Sequence, residues 1–226
     1  MGTFVTLGGA AASGSGYLSE PESAGPAVIV VHDYFGALPH VRELCDALAL
    51  AGFMALAPDL YDGWTTTEPT RAEVLLGRLD VGRSRSLLTV AARQLRAHPK
   101  VRPERVGAVG FSAGGWLALR TATSGVLDAV VAYYAALGPG EQAPIPCPVM
   151  LHFAEVDEWD PADLPATFTT QLRAAGTLVI DRTWPGTEHS FANADVPAWR
   201  PGPAAAAWGE TVGFLARHLR EPDRVR

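Results

Sequence analysis

Two hydrophobic periods alternate along this chain. Residues 27–31, Ala-Val-Ile-Val-Val, form a continuous apolar run, too short for a buried helix and rich in β-branched side chains, as in a strand covered on both faces. Residues 39–51 then place Val41, Leu44, Cys45 and Leu48 on one helical face. Gly52 ends that helix, and residues 53–57 give the next strand. Beyond a loop with Tyr61 and Trp64, residues 71–79 carry a weak helical pattern. Residues 84–98 carry a stronger one, with Leu87, Leu88, Ala91 and Leu95 aligned. The second half repeats the scheme with strand 105–109, helix 112–121 and strands 129–132 and 149–153. Helix 161–175, strand 177–181 and helix 203–219 complete it. The first 25 residues show only short strand-like pieces, at 4–7 and 17–19, which suit an edge hairpin or an opening antiparallel strand.

This alternation predicts an α/β fold of three layers, a mostly parallel sheet with helices on both faces and right-handed crossovers. Reactive residues are then expected on loops past the carboxyl ends of the strands. A length of 226 residues suits a single domain over residues 1–226. Such a chain buries enough surface to need no metal or disulfide for its core.

Composition narrows the partners. With 48% hydrophobic and 19% charged residues, the chain has the balance of a soluble globular protein. A formal charge of -6 disfavours general attraction to nucleic acid or an anionic membrane. No apolar run is long enough to span a bilayer, and the first residues lack the basic start and apolar core of a signal peptide. The expectation is a cytoplasmic monomer or small homo-oligomer. Cys45 and Cys147 read as two thiols in a reducing compartment. CxxC and HExxH are absent and the six histidines are scattered, so neither metal nor cofactor is expected.

The strongest motif is Gly110-Phe111-Ser112-Ala113-Gly114, a GxSxG between a predicted strand and a predicted helix. A strand turning directly into a helix strains the backbone of the central residue and lifts its Oγ from the surface. The helix start also leaves N–H groups unpaired, and that of Ala113 can face an oxyanion. The plainer reading is a helix-capping serine with packing glycines. A phosphate loop fits less well, because GxxxxGK[ST] and an early GxGxxG are both missing.

Ser112 needs a base within hydrogen-bond reach. His189 follows strand 177–181 in the last strand-to-helix loop, where the nucleophile–acid–base order of α/β-hydrolases places the histidine. His32 is its rival in the first such loop. His98 and His218 lie near helix ends, and His152 falls inside a strand pattern. Behind the base a carboxylate should fix the imidazole tautomer. Asp157, four residues past strand 149–153, is the first choice and Asp160 the reserve.

The chain resembles the dienelactone hydrolase family over residues 4–219. The matching pieces are His32-Asp33-Tyr34-Phe35-Gly36, Ala57-Pro58-Asp59-Leu60-Tyr61, Gly110 to Gly115, Tyr133-Tyr134, Asp157, and Pro185 to Phe191. The resemblance implies an α/β-hydrolase fold. It further implies a triad at Ser112, His189 and Asp157, an accessory acid at Asp33, and a second oxyanion N–H at Tyr34. Two departures stand out. The family's nucleophile is usually Cys, and a hydroxyl is far less acidic than a thiol. Ser112 must therefore pass its proton to His189 during attack, and Asp33 loses its rationale as an aid to a thiolate. The family's substrate-clamping arginine, four residues after the histidine, is Asn193 here. Arg71 or Arg78 could still supply a cation, but the case for an anionic lactone weakens.

Phe35, Trp64, Tyr134, Trp159, Phe191 and Asn193 are the remaining pocket candidates, beside Tyr34; aromatic residues also occur routinely in cores. The expected reaction is hydrolysis of a small ester or lactone through an acyl-enzyme, with no cofactor. Two other readings share these residues: acyl transfer to an alcohol or amine, and a scaffold kept for ligand binding with its triad unused.

Overall fold

In the computed structural model, residues 2–9, 12–141 and 143–220 are described. Strand β3 (Gly25–Val31) shows why the layers form. All seven of its residues are buried. Ala27, Ile29 and Val31 face one apolar cluster while Val28 and Val30 face another, the period-two split of a strand covered twice. Helices α1 (Pro39–Leu50) and α6 (Pro201–Arg220) cover the second face through Val41, Cys45, Leu48, Phe214 and Leu215. Helices α3 (Val81–Ala97), α4 (Ala113–Ala122) and α5 (Leu164–Ala174) cover the first through Leu87, Leu117 and Phe168.

The sheet has eight strands in the order β1-β2-β4-β3-β5-β6-β7-β8. β1 (Thr3–Gly8), β2 (Ser13–Ser19) and β4 (Met54–Pro58) pair antiparallel. From β4 through β3, β5 (Val101–Phe111), β6 (Ala129–Tyr133), β7 (Val149–Val156) and β8 (Val179–Glu188) every pairing is parallel. Helix α2 (Pro69–Gly77) lies apart from the main layers: Ala72 joins Tyr34, Phe35, Leu38 and Val196 in a third small cluster.

The opening hairpin, every strand of the parallel core and the six helices among the described residues fall where the apolar pattern puts them, with shifted ends. The largest shift is at β8, which ends at Glu188 instead of 181; β5 begins four residues before 105, β2 four before 17, and β7 runs three residues past 153. β8 is an edge strand with exposed polar positions and Pro185, so no alternation marks its second half and an edge proline costs no ladder bond. Helix α5 begins at Leu164, not 161. Cys45 and Cys147 are buried and unlinked. Among the described residues no helix is long and apolar enough to cross a membrane.

Candidate active site

Ser112 occupies the single residue between β5 and α4. Its φ of 51° and ψ of -122° are a strained conformation for a non-glycine residue, of the kind that costs about 1–3 kcal/mol and survives only when its surroundings impose it. The main chain does so here: Ser112 N–H donates to the Tyr133 carbonyl on β6 (3.0 Å), and Trp116 N–H donates to the Ser112 carbonyl (2.9 Å). The flanking glycines let α4 close onto the sheet. A Cβ on Gly110 would stand 2.3 Å from the Gly114 carbonyl oxygen, and one on Gly114 would stand 2.2 Å from that of His32.

The imidazole and its carboxylate come together through sheet register. Val156 at the end of β7 pairs with Glu188 at the end of β8, so the next residues, Asp157 and His189, leave the edge side by side. His189 Nδ1 lies 2.9 Å from Asp157 Oδ1 and 2.8 Å from Oδ2. His189 Nε2 lies 2.8 Å from Ser112 Oγ. With a carboxylate at Nδ1 that nitrogen carries the proton, which leaves the Nε2 lone pair facing the hydroxyl. Asp157 Oδ1 also accepts from Trp159 N–H (3.0 Å), which holds the carboxylate in place. The sequence-based picture of Asp157 reaching back across a four-residue loop is corrected: the strand itself carries the chain almost to that aspartate.

The rival histidines are occupied. His32 Nε2 accepts from Leu60 N–H (3.1 Å) and its Nδ1 donates to the Asp33 carbonyl (2.7 Å). Burial lowers its pKa, so the ring is a neutral brace between two loops. His40 Nδ1 pairs with Asp195 Oδ2 at 2.8 Å.

Asp33 organises the first loop. Its Oδ1 accepts from Phe35 N–H (2.9 Å) and its Oδ2 from the Asn193 amide (2.8 Å), while Asn193 Oδ1 accepts from Asp195 N–H (2.9 Å). The first loop and the loop after His189 are thus tied together behind the site. Burial raises the Asp33 pKa, against the pull of His40 and of these hydrogen bonds.

A cavity of about 170 Å³ opens in front of Ser112 and His189, with Tyr34, Ala113, Tyr134 and Trp159 among its walls. Four pocket expectations are not met in this structure. Trp64 is 70% exposed and outside the lining. Phe35 packs beneath with Leu38 and Ala72. Phe191 is fully buried against Tyr133, Tyr134 and Trp184. Asn193 is fully buried on Asp33. In their place the lining includes Leu76, Trp116, Ala135, Ala136 and Asp160. Leu76 belongs to the weakly patterned helix, and Trp116 reads from its spacing as a packing residue, so neither carried a distinct sequence signal. Tyr134, at φ 38°, packs its ring at a tilt of 56° against His189 with centroids 4.8 Å apart. Its buried hydroxyl has no hydrogen-bond partner among the described residues.

Residues 15–219 match the model of the dienelactone hydrolase family. The chain belongs to that family. It is 31% identical over 221 residues to a protein of Azospirillum brasilense named "Putative carboxymethylenebutenolidase", covering 91% of this chain and 94% of that one. It is 28% identical over 233 residues to a Bradyrhizobium protein named "Probable 2-oxo-3-(5-oxofuran-2-ylidene)propanoate lactonase", covering 96% and 94%. Among solved structures it is similar to "Putative Dienelactone Hydrolase" from Klebsiella pneumoniae, with TM-score 0.84 at 24% identity over 96% of this chain and 98% of that one. The eight-stranded, mostly parallel sheet of this dienelactone hydrolase family member is therefore the α/β-hydrolase fold.

Proposed function

We propose that this protein hydrolyses a carboxylic ester or lactone through Ser112, His189 and Asp157 and an acyl-enzyme intermediate. The observation that carries the reading is the unbroken hydrogen-bond line from Asp157 through His189 to Ser112 Oγ, with steps of 2.8 Å on both sides of the ring. Membership of the dienelactone hydrolase family and relatives named for lactone-opening activities support the same reaction class.

Ser112 Oγ attacks the carbonyl carbon as its proton passes to His189 Nε2, and Asp157 stabilises the imidazolium. The N–H groups of Tyr34 and Ala113 hold the negative oxygen, each such donor being worth about 10²–10³ in rate. His189 returns the proton to the leaving oxygen as the carbon–oxygen bond breaks; in a lactone that oxygen remains part of the acyl group. Water, deprotonated by the same nitrogen, then attacks the acyl carbon and releases the acid and Ser112. A serine hydroxyl has too high a pKa to wait as an anion, so the base contact replaces the thiolate chemistry usual in this family. Asp33 in this reading positions the Tyr34 loop instead of activating a nucleophile.

A serine-directed fluorophosphonate is expected to add one group per chain, at Ser112, and S112A to abolish the addition. H189A should lower turnover of a methyl ester by about 10³-fold or more with the fold retained. Labelling elsewhere, or H189A turnover within tenfold of the parent, would reject the reading.

A further inference from the structure

The cavity before Ser112 carries an unbalanced negative group. Its lining contains no Lys or Arg among the described residues, and its one carboxylate besides the histidine-bound site is Asp160. Asp157 is fully used, by His189 and by the Trp159 main chain. Asp160 is half-buried, next in the chain to Trp159, and no donor among the described residues reaches its side chain. Burial, then the neighbouring Asp157, raises its pKa, and His189 opposes them. That pattern is what a partly desolvated carboxylate without its own partner shows.

Neither Arg71 nor Arg78, the cations the sequence offered, belongs to the lining. Arg120 is held by Glu141 (2.7 Å), which also accepts from Trp116 Nε1 (2.8 Å). Arg71 pairs with Glu68 on the exposed side of α2. The same helix bears Glu73, whose charge acts on Tyr34 at the cavity wall. Apart from Ser112 and His189 the other walls are aromatic or aliphatic, and the volume of about 170 Å³ is small beside the roughly 300–1,000 Å³ of most ligand pockets.

We propose that Asp160 is a specificity-determining residue: the cavity takes short esters or lactones that are uncharged or cationic and present an N–H or O–H donor to this carboxylate, and it disfavours substrates that carry a carboxylate of their own. This rests on the ester-hydrolase reading and names the substrate class of the same site. An incoming carboxylate would face a like charge in a partly water-excluded cavity, whereas an ammonium or hydroxyl would supply the missing partner.

The test compares three methyl esters of matched shape at pH 7.5: monomethyl succinate, methyl butyrate and β-alanine methyl ester. The parent enzyme is expected to prefer the cationic ester over the neutral one, and the neutral over the anionic, each step about tenfold in kcat/KM at low salt. D160N should compress both ratios towards one, raising the anionic ester relative to the neutral one, and D160E should restore the original order. Unchanged ratios in D160N, or a parallel fall for all three esters, would overturn the inference, because a merely structural role moves all three together. Methyl butyrate turnover with fluorophosphonate addition at Ser112 would keep the hydrolase reading standing in that event. Absence of both would reject the hydrolase reading itself and this inference with it.

Discussion

Two histidines at the β7–β8 edge have opposite fates. His152 lies within β7 and His189 directly follows β8. The Nδ1 of His152 accepts from the Trp184 indole N–H (3.1 Å), so its proton sits on Nε2 and is donated to Thr211 Oγ1 (3.1 Å), which bonds the Tyr133 hydroxyl (2.7 Å). The ring is fully buried, and burial, with a smaller push from Arg182, lowers its pKa to about 3. His189 instead has a carboxylate at Nδ1 and a hydroxyl at Nε2. The difference lies in the neighbour at one nitrogen. A donor there makes the ring a closed structural link, and a carboxylate there leaves a lone pair aimed at the cavity.

The largest expected effect comes from breaking that difference at Asp157. In D157N the amide can donate to Nδ1, which favours the tautomer with its proton on Nε2 and removes the lone pair from Ser112. A loss of about 10³–10⁴ in kcat with an unchanged fold is expected, measured by methyl ester hydrolysis and circular dichroism. A loss below tenfold would mean that another carboxylate orients the ring.

The next effect sharpens the structural side of the comparison. The folded-state pKa of His152, about 3, lies below the roughly 6.5 of an unfolded histidine. Between these values the unfolded chain binds a proton that the native chain does not. Stability from neutral His152 is thus complete above about pH 6.5 and falls with acidification, by up to about 1.4 kcal/mol per pH unit. His32, lowered chiefly by burial, acts in the same direction. H152Q, which keeps one donor and one acceptor but does not titrate, should flatten the His152 share of this slope between pH 6.5 and 5 in urea melts. Its turnover per folded molecule should stay within a fewfold at neutral pH. An unaltered slope would show that the ring is not held neutral.

The smallest effect is expected at Trp64. Its exposed indole stands outside the cavity lining, so W64A should leave kcat/KM within about twofold, in line with surface changes remote from any network. A tenfold loss would bring that loop into the site.

How far the site could be read in advance varied with the kind of signal. Ser112 was legible because a strand, a GxSxG and a helix are all local features, and one residue joins them. His189 and Asp157 were legible as loop residues of the right order, but their distance from the strands was misjudged. β8 continues through Trp184-Pro185-Gly186 as an edge strand without apolar alternation, and β7 keeps pairing with it to Val156. Pocket residues were the least legible. Trp64 and Phe191 are both aromatic residues on loops near the carboxyl ends of strands, yet one is exposed and the other fully buried. Nothing in residue type separates those outcomes, since each depends on what other segments pack above it.

Local sequence was enough to determine the layered alternation and the strand–serine–helix turn, and to rank His189 ahead of His32, because periodicity, glycine placement and chain order act over short stretches or along the strand sequence. Tertiary structure alone decided which nitrogen of each histidine bears the proton, that Asn193 is buried against Asp33, and that Asp160 faces the cavity with no hydrogen-bond donor among the described residues. Those outcomes depend on pairs of residues far apart in the chain, such as Asp33 with Asn193 at 2.8 Å, and hydrogen-bond direction is settled only when both partners are in place.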